Sequence, residues 1–463
     1  MEDLGKYKPY PAYKESGVEW LGEVPEHWEV KRLKYVADLY LSNVDKHTVT
    51  GQKAVSLCNY VDVYKNDRIT SEIDFMQASA SNEQIKRLAV VKGDVIITKD
   101  SEDPSDIGVP ALVAETIPEL ICGYHLAIIR PKKSAGGFLN YLFKSNFVRS
   151  VFNVEATGMT RYALGKYSIE NLMFATPPKE EQSIIAFFID RETAKIDKLI
   201  VKQEQLIEVL QEKRSALISH AVTKGLNPDA PMKDSGIEWL GEVPEHWKIA
   251  KLFHLTKKIG DGLHGTPQYT DDSNYYFING NNLVDGRIFI ADTTKRVDQV
   301  EFEKYKVELG GGSLLMSING TIGNVALYNG ENVVLGKSAA YINCSNKLHR
   351  EFLYYFLKSV CVKLYFNLEV SGTTIFNLSL ESIRNLFAVL PSHSEQSAIV
   401  AFLDRETAKI DNLISKAKRS IELLQEHRSS LISAAVTGKI DVRNLVKHPN
   451  PQEESYACNP PNP

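Results

Sequence analysis

The amino-acid sequence predicts an α+β fold: two α/β domains separated by two long antiparallel helices that form a coiled-coil spacer, with an internal pseudo-two-fold repeat. Three observations predict it. Ser16–Trp28 reads SGVEWLGEVPEHW and Ser235–Trp247 reads SGIEWLGEVPEHW, differing only at Val18 and Ile237. EQSIIAFFIDRETAKIDKLI from Glu181 returns as EQSAIVAFLDRETAKIDNLI from Glu395, and the copies continue as LQEKRSALISHAVT and LQEHRSSLISAAVT. The blocks between them, 31–178 and 248–392, share an outline, such as TGMTRYAL from Thr157 against SGTTIFNL from Ser371, and little fine detail. Near-constant segments alternating with variable ones are the pattern of common joints that carry two separate readers.

Taken in order, residues 1–30 form an N-terminal conserved segment; its opening, MEDLGKYKPYPAYKESG, lacks an apolar signal core. The first variable block, 31–178, has strand-like runs at Val95–Thr98 and His125–Arg130 and an amphipathic stretch, Phe138–Val151, that suggests one helix. Residues 179–225, just after the prolines of Thr176–Pro178, carry a seven-residue repeat: Ile189, Ile196, Leu210 and Leu217 at one position, Ile185, Leu199 and Leu206 three places later. Gln203 and Lys213 interrupt this seam, and Gly225 marks its stop. About forty helical residues at roughly 1.5 Å each give a rod near 60 Å.

Residues 226–247 combine the turn-rich GLNPDAPMKDSG linker with the second tryptophan segment. The second variable block, 248–392, has strand-like Ser313–Met316 and Ala339–Asn343 and a helical stretch, Glu351–Tyr365. Residues 393–440, after Pro391, repeat the seam with Leu403, Ile410, Leu424 and Leu431 plus Ile399 and Leu413, interrupted by His427 and stopped at Gly438. Because the first helix delivers the chain to the second block and the second must return, the rods are expected to be antiparallel, with one variable domain at each end. Residues 441–463 have the composition of a disordered tail.

With 463 residues, 43% hydrophobic and 24% charged, the chain has ordinary globular composition, enough for about three units. Lys plus Arg total 54 against 58 for Asp plus Glu; the net charge of -4 gives no global pull toward polyanions, so any nucleic-acid contact must be local. Five scattered cysteines form no CxxC or zinc spacing, and the odd count fits reduced thiols in a cytoplasm. Neither a disulfide nor a metal site is expected, and without an apolar run of about 18 residues a membrane span is not either.

The candidate contact residues fall in loops. They are Lys99, Ser101, Thr160, Arg161, Tyr162 and Lys166 in the first block; in the second they are His264, Thr266, Asn279, Asn281, Asn282, Ser317, Asn319, Thr321, Lys337, Thr373 and Thr374. Amides, hydroxyls and cations on loops can meet base edges or phosphates. Ordinary turn chemistry explains the Asn-Gly and Asp-Gly pairs without any ligand. Gly330–Ser338 has five residues between its glycines where a phosphate loop needs four, so a hairpin turn at Asn329-Gly330 followed by a strand is expected. Glu29-Val30-Lys31 lacks the upstream acidic partner of a nuclease, and Asn459-Pro460-Pro461-Asn462 lacks the aromatic of an adenine methyltransferase. The four tryptophans read as core packing, and the charges of DRETAKID as i,i+4 pairs on a solvated face. No enzyme constellation emerges.

The repeated WLGEVPEHW segments, the repeated EQSxI…DRETAKID helices and the paired variable blocks resemble, over essentially the whole chain, the specificity subunit of type I restriction-modification systems. DGLHGTPQY, YFINGNNLVDGRI and GGGSLLMSINGTIGNVAL look like that family's target-recognition domains, as do VKGDVIITK and NVDKHTVTGQKAVSLCNYVDVY in the first block. The resemblance implies a cytoplasmic, non-catalytic subunit whose two target-recognition domains each read half of a split double-stranded DNA site. It implies two modification subunits that methylate adenine N6 and restriction subunits as partners. S-adenosylmethionine, ATP and Mg belong to those partners, and this chain needs no cofactor.

Overall fold

The computed structural model describes residues 7–370 and 376–445, so Thr373, Thr374 and most of the tail lie outside the described residues. The chain divides into two compact units: residues 1–203 with 419–463, and residues 204–418. Each unit holds one variable domain, one tryptophan segment, and part of each long helix, Lys179–Lys224 and His393–Val436.

The start of one long helix and the end of the other meet the same tryptophan in each unit. In the first, buried Trp28 donates its indole N–H to Glu181 Oε1 at 3.1 Å, and a Cβ added to Gly438 would lie 3.1 Å from the same ring. In the second, Trp247 donates to Glu395 at 3.2 Å and Gly225 stands equally close to its ring. Both glycines have positive φ, +75° at Gly438 and +76° at Gly225, which ends a helix with little strain. After Val436, Lys439 N–H donates to Ala434 O and Gly438 N–H to Ala435 O, a Schellman stop. The helix segments within a unit are therefore antiparallel.

The seam is shifted from its expected register. Ile189, Ile196, Leu210, Leu403, Ile410 and Leu431 are buried as expected, but Leu199, Leu206 and Leu413 are 47%, 45% and 48% exposed. Ile185 and Ile399 of the expected companion line are buried, but beyond that first turn the line lies four places after the first instead of three: Thr193, Ile200, Ile207, Arg214 and Ala221, and Thr407, Ile414, Ile421, Arg428 and Ala435. The expected line also contains Glu192 and Lys213, whose charges burial would penalise. Of the polar members of the observed line, the threonines are hydrogen-bonded, and the arginines are ion-paired although the Nε of each makes no hydrogen bond. Thr193 and Thr407 hydroxyls donate to the carbonyls of Ile189 and Leu403 at 2.8 and 2.7 Å. Arg214 pairs with Asp411 at 3.0 Å, and Arg428 with Asp197 at 2.9 Å.

The first variable domain contains a five-stranded sheet in the order Ala37–Leu41, Leu126–Pro131, Val95–Thr98, Pro110–Val113, Arg68–Ile69. Lys53–Cys58, flanked by Leu120–Cys122 and Met76–Ala80, forms a second sheet. The central strand, Val95–Thr98, is buried on both faces, as its unbroken apolar run requires. The second variable domain has a four-stranded sheet, Thr256–Asp261, Ala339–Cys344, Ser313–Ser317, Val325–Leu327, and another in the order Tyr269–Thr270, Arg296–Val297, Tyr275–Ile278, Val333–Leu335. Val333–Leu335 runs parallel to Tyr275–Ile278, so Asn329-Gly330 turns the chain into a different sheet and closes no hairpin. Glu29–Lys31 is part of a strand paired with Met173–Thr176, its Glu and Lys ion-paired to each other.

Each expected single helix is two. Gly136–Lys144 and Asn146–Glu155 break at Ser145, and Arg350–Leu357 and Val360–Glu369 break after Lys358 and Ser359. Both serines are fully buried and donate back to Leu142 O and Phe356 O, closing one helix while standing at the N-cap of the next. The leading helix of each pair is fastened to a long helix by repeat residues. Gln182 accepts Ala135 N–H and Gln396 accepts His349 N–H, both at 2.8 Å. Tyr141 donates to Asp190 at 2.5 Å and Tyr355 to Asp404 at 2.7 Å. The remaining DRETAKID charges pair at spacings of one and three, not four: Arg191 and Lys195 with Glu192, Arg405 and Lys409 with Glu406. Of the four tryptophans only Trp28 and Trp247 are core; Trp20 is 58% exposed, and Trp239 is half-buried against Tyr365.

Candidate nucleic-acid interface

The loops after the central strands hold the candidate residues, and their backbones match. Lys99 N–H donates to His125 O and Leu164 N–H to Lys99 O in the first domain; Ile318 N–H donates to Ser338 O and Leu378 N–H to Ile318 O in the second. Gly108 N–H closes onto Thr98 O, and Gly323 N–H onto Ser317 O. Lys99, Asp100 and His125 thus occupy the places of Ile318, Asn319 and Ser338. The first loop is longer, Lys99–Ile107 against Ile318–Ile322, and it carries the short turn Pro104–Asp106.

In the first domain the loop is organised by a carboxylate. Asp100 is 6% exposed, and its Oδ1 accepts His125 Nδ1 at 2.5 Å and Arg161 Nε at 2.9 Å while Oδ2 takes Lys99 Nζ at 3.2 Å. A buried carboxylate is tolerated where opposite charge and hydrogen bonds surround it. Lys99 also lies 4.6 Å from the Tyr124 ring centre. Asp100-Ser101 pairs antiparallel with Tyr162-Ala163, so ladder bonds fix the strand bearing Asp100 and the residue after Arg161. An open recess of about 390 Å³ beside them is lined by Tyr60, Ser101, Glu102, Asp103, Asp106 and Arg161. Tyr60 and Tyr64 stack with centroids 5.7 Å apart, and Tyr64 donates to Asp106.

The second domain has a neutral arrangement. Ser338 Oγ donates to Asn279 Oδ1 at 3.0 Å and accepts Gly280 N–H at 2.9 Å; Thr321 Oγ1 donates to Gly280 O at 3.4 Å. A Cβ on Gly280 would stand 2.2 Å from Ser317 Oγ, so only glycine allows this approach.

The structure separates the sequence candidates by exposure and engagement. Arg161, Thr160, Lys166, His264, Thr266, Asn281, Thr321 and Lys337 are exposed. His264 is held by Asp261 at 2.7 Å, and Lys166 faces Glu170 on its own helix. Ser101 and Ser317 are buried and already engaged: Ser317 bonds within its loop to Asn319 O and Thr321 Oγ1, and Ser101 accepts Asp103 N–H. Asn279 and Asn282 form a reciprocal cap around Gly280–Asn282, and Asn282 also donates to Phe289 O, so their amides position the loop. Tyr162 and Asn319 are half-buried in backbone pairing. His125, Ser338 and the Tyr60/Tyr64 pair were not anticipated; aligning the starts of the strands Leu126–Pro131 and Ala339–Cys344 across the repeat brings the first two out.

The model of the type I restriction modification DNA specificity domain matches this sequence twice, over residues 25–209 and 244–423. The chain belongs to that family. Among its relatives, the MjaVIII specificity subunit of Methanocaldococcus jannaschii is 24% identical over 91% of this chain and 95% of its own length. The EcoKI specificity subunit of Escherichia coli is 20% identical over 93% and 92%. A solved chain from work on complex assembly and conformational transition of the type I R-M system superposes with a TM-score of 0.69 at 18% identity, covering 90% of this chain and 99% of that one. The HsdS subunit of Thermoanaerobacter tengcongensis gives 0.51 at 17% identity, over 90% and 98%. The variable domains of this specificity subunit are its target-recognition domains, and the long helices its spacer. Among the described residues no helix is long and apolar enough to cross a membrane, and no group of three His, Cys, Asp or Glu side chains could hold a metal.

Proposed function

We propose that this specificity subunit reads an asymmetric, bipartite DNA site, one half by residues 31–178 and the other by residues 248–392, and has no catalysis of its own. The observation that carries this is the matched pair of loops described above: one frame, two chemistries. Unlike readers on like frames specify unlike half-sites, so the site is non-palindromic. The exposed Arg161, Thr160 and Lys166 of the first domain and His264, Thr266, Asn281, Thr321, Lys337 of the second are the contacts, with Thr373 and Thr374 added from sequence.

The repeated segments and spacer recruit two modification subunits, which methylate adenine N6 with S-adenosylmethionine, and restriction subunits that use ATP and Mg, all in the cytoplasm. With a net charge of -4, the subunit leaves part of the phosphate clamp to those partners. The salt dependence of binding tests this, since the assembled complex should show a steeper slope than the free subunit. The deciding experiment is adenine-methylation mapping in cells carrying the chain with its modification partner. A split motif is expected, and replacing residues 31–178 by another reader should change one half only. Methylation without a split motif would overturn the reading.

A further inference from the structure

We infer that Arg161 reads a guanine of a G·C pair in the half-site of the first domain, and that Asp100 is the residue that positions it. The inference rests on the DNA-reading role above and names the base chemistry of one position.

Arg161 is held by its Nε, which donates to Asp100 Oδ1 at 2.9 Å, while its side chain is 48% exposed. A guanidinium anchored at Nε keeps its two terminal amino groups available as a parallel fork, a geometry that suits two adjacent acceptors. In the major groove, guanine alone presents adjacent acceptors, O6 and N7; on an A·T edge the acceptors are separated by the adenine amino donor. Asp100 cannot swing away, because His125 holds the same oxygen at 2.5 Å and Lys99 the other at 3.2 Å. The backbone is equally constrained. Thr157 bridges Ala163, and a Cβ on Gly158 would fall 1.9 Å from Arg161 O, so the turn bearing Arg161 is a tight one.

The neighbours argue against a phosphate contact. Glu102, Asp103 and Asp106 line the same recess, and a backbone phosphate placed there would face three carboxylates. A G·C edge suits both signs: acceptors on guanine face the fork, and the cytosine N4 amino group is a donor for a carboxylate. Among the described residues at the matching place of the second domain, Ile318, Asn319 and Ser338 offer no carboxylate, and in sequence Ile375 aligns with Arg161.

The test is methylation mapping with Arg161→Lys and Asp100→Asn, each expressed with the modification partner. Lysine keeps the charge and loses both the Nε anchor and the fork. One G·C position in one half should relax by roughly ten- to a hundredfold in base preference, with the other half unchanged. Asp100→Asn should relax the same position less. Arg161 lies on the surface, so its lysine variant tests the inference even if Asp100→Asn fails to fold. An unchanged motif in Arg161→Lys, or weaker methylation at every site with base preferences intact, would overturn the inference and leave the bipartite reading standing. Absence of any split motif in the unaltered chain would remove that reading itself.

Discussion

The strand Val95–Thr98 of the first domain runs into Lys99 and Asp100, and the strand Ser313–Ser317 of the second into Ile318 and Asn319, with the same backbone bonds on either side. Around the first, a buried carboxylate gathers a lysine, an arginine and a histidine; around the second, hydroxyls and amides bond one another. Below these loops the units are near copies: Trp28 on Glu181 and Trp247 on Glu395, Gln182 and Gln396 on the leading helix, Tyr141 on Asp190 and Tyr355 on Asp404. The fastenings are shared, and the chemistry at the loop tips is not.

That contrast can be broken from below. Trp28→Ala and Trp247→Ala each remove a buried indole and should cost about 3–5 kcal/mol, read by calorimetric unfolding of the two units. The two losses should be comparable, with the first somewhat larger because Tyr10, also buried, shares Glu181 through a 2.7 Å bond. Burial and that carboxylate push the Tyr10 hydroxyl well above its usual titration range, so it stays a donor. Clearly unequal losses would show that the repeated joints are not equivalent. Next, the seam: Ile410→Ala should cost about 2–5 kcal/mol and Leu413→Ala no more than about 0.5 kcal/mol, in denaturant unfolding of the free subunit. Equal losses would restore the register with Leu199, Leu206 and Leu413 inside.

The same seam shows where sequence is legible and where it stops. A heptad of Ile and Leu announces a helix pair, and Ile189, Ile196, Leu403 and Ile410 lie where the heptad puts them. The companion line was hidden because Thr193 and Thr407 can be buried only by returning their hydroxyls to the carbonyl one turn back, and Arg214 and Arg428 only beside carboxylates that the fold brings to them. Ser145 and Ser359 likewise look like ordinary polar positions in amphipathic stretches until a buried hydroxyl is seen closing each helix. In the recognition loops the repeat pointed to segments that the fold places after matching strands, but it could not tell an exposed side chain from one bonded inward. Ser101, Ser317 and Asn282 have base-reading chemistry and are bonded inward, whereas His125 takes its role from Asp100, 25 residues away in the chain.

A brace in the neutral domain should behave differently from one in the charged domain. Ser338→Ala leaves Gly280 N–H and Asn279 Oδ1 without their shared partner, at a cost of about 0.5–1.5 kcal/mol. In methylation mapping it should broaden several positions of the second half-site together, since a whole loop loses its hold, and leave the first half untouched. Relaxation at a single base would show that Ser338 is itself a reader.

The smallest effect concerns the joints in acid. Glu395 accepts His246 Nε2 at 2.7 Å, Trp247 Nε1 at 3.2 Å and Ser392 Oγ at 2.7 Å. Burial works to raise its pKa, but the bonds from His246, Ser392 and Trp247 outweigh it and bring the carboxyl down to about 2 from an ordinary 4.5. A carboxyl depressed by folding contributes stability that is complete above its unfolded value and disappears as pH falls toward the folded one. The contribution of Glu395 is therefore full above about 4.5 and lost between there and about 2. Glu395→Gln removes the titration and offers an amide donor to groups that already donate, so it should weaken the second unit at pH 7. Its urea midpoint should approach that of the unaltered chain as the pH drops from 5 to 3. If the gap between the two stays constant across that interval, the joint is held by packing of Trp247 alone, and the charge on Glu395 contributes nothing to it.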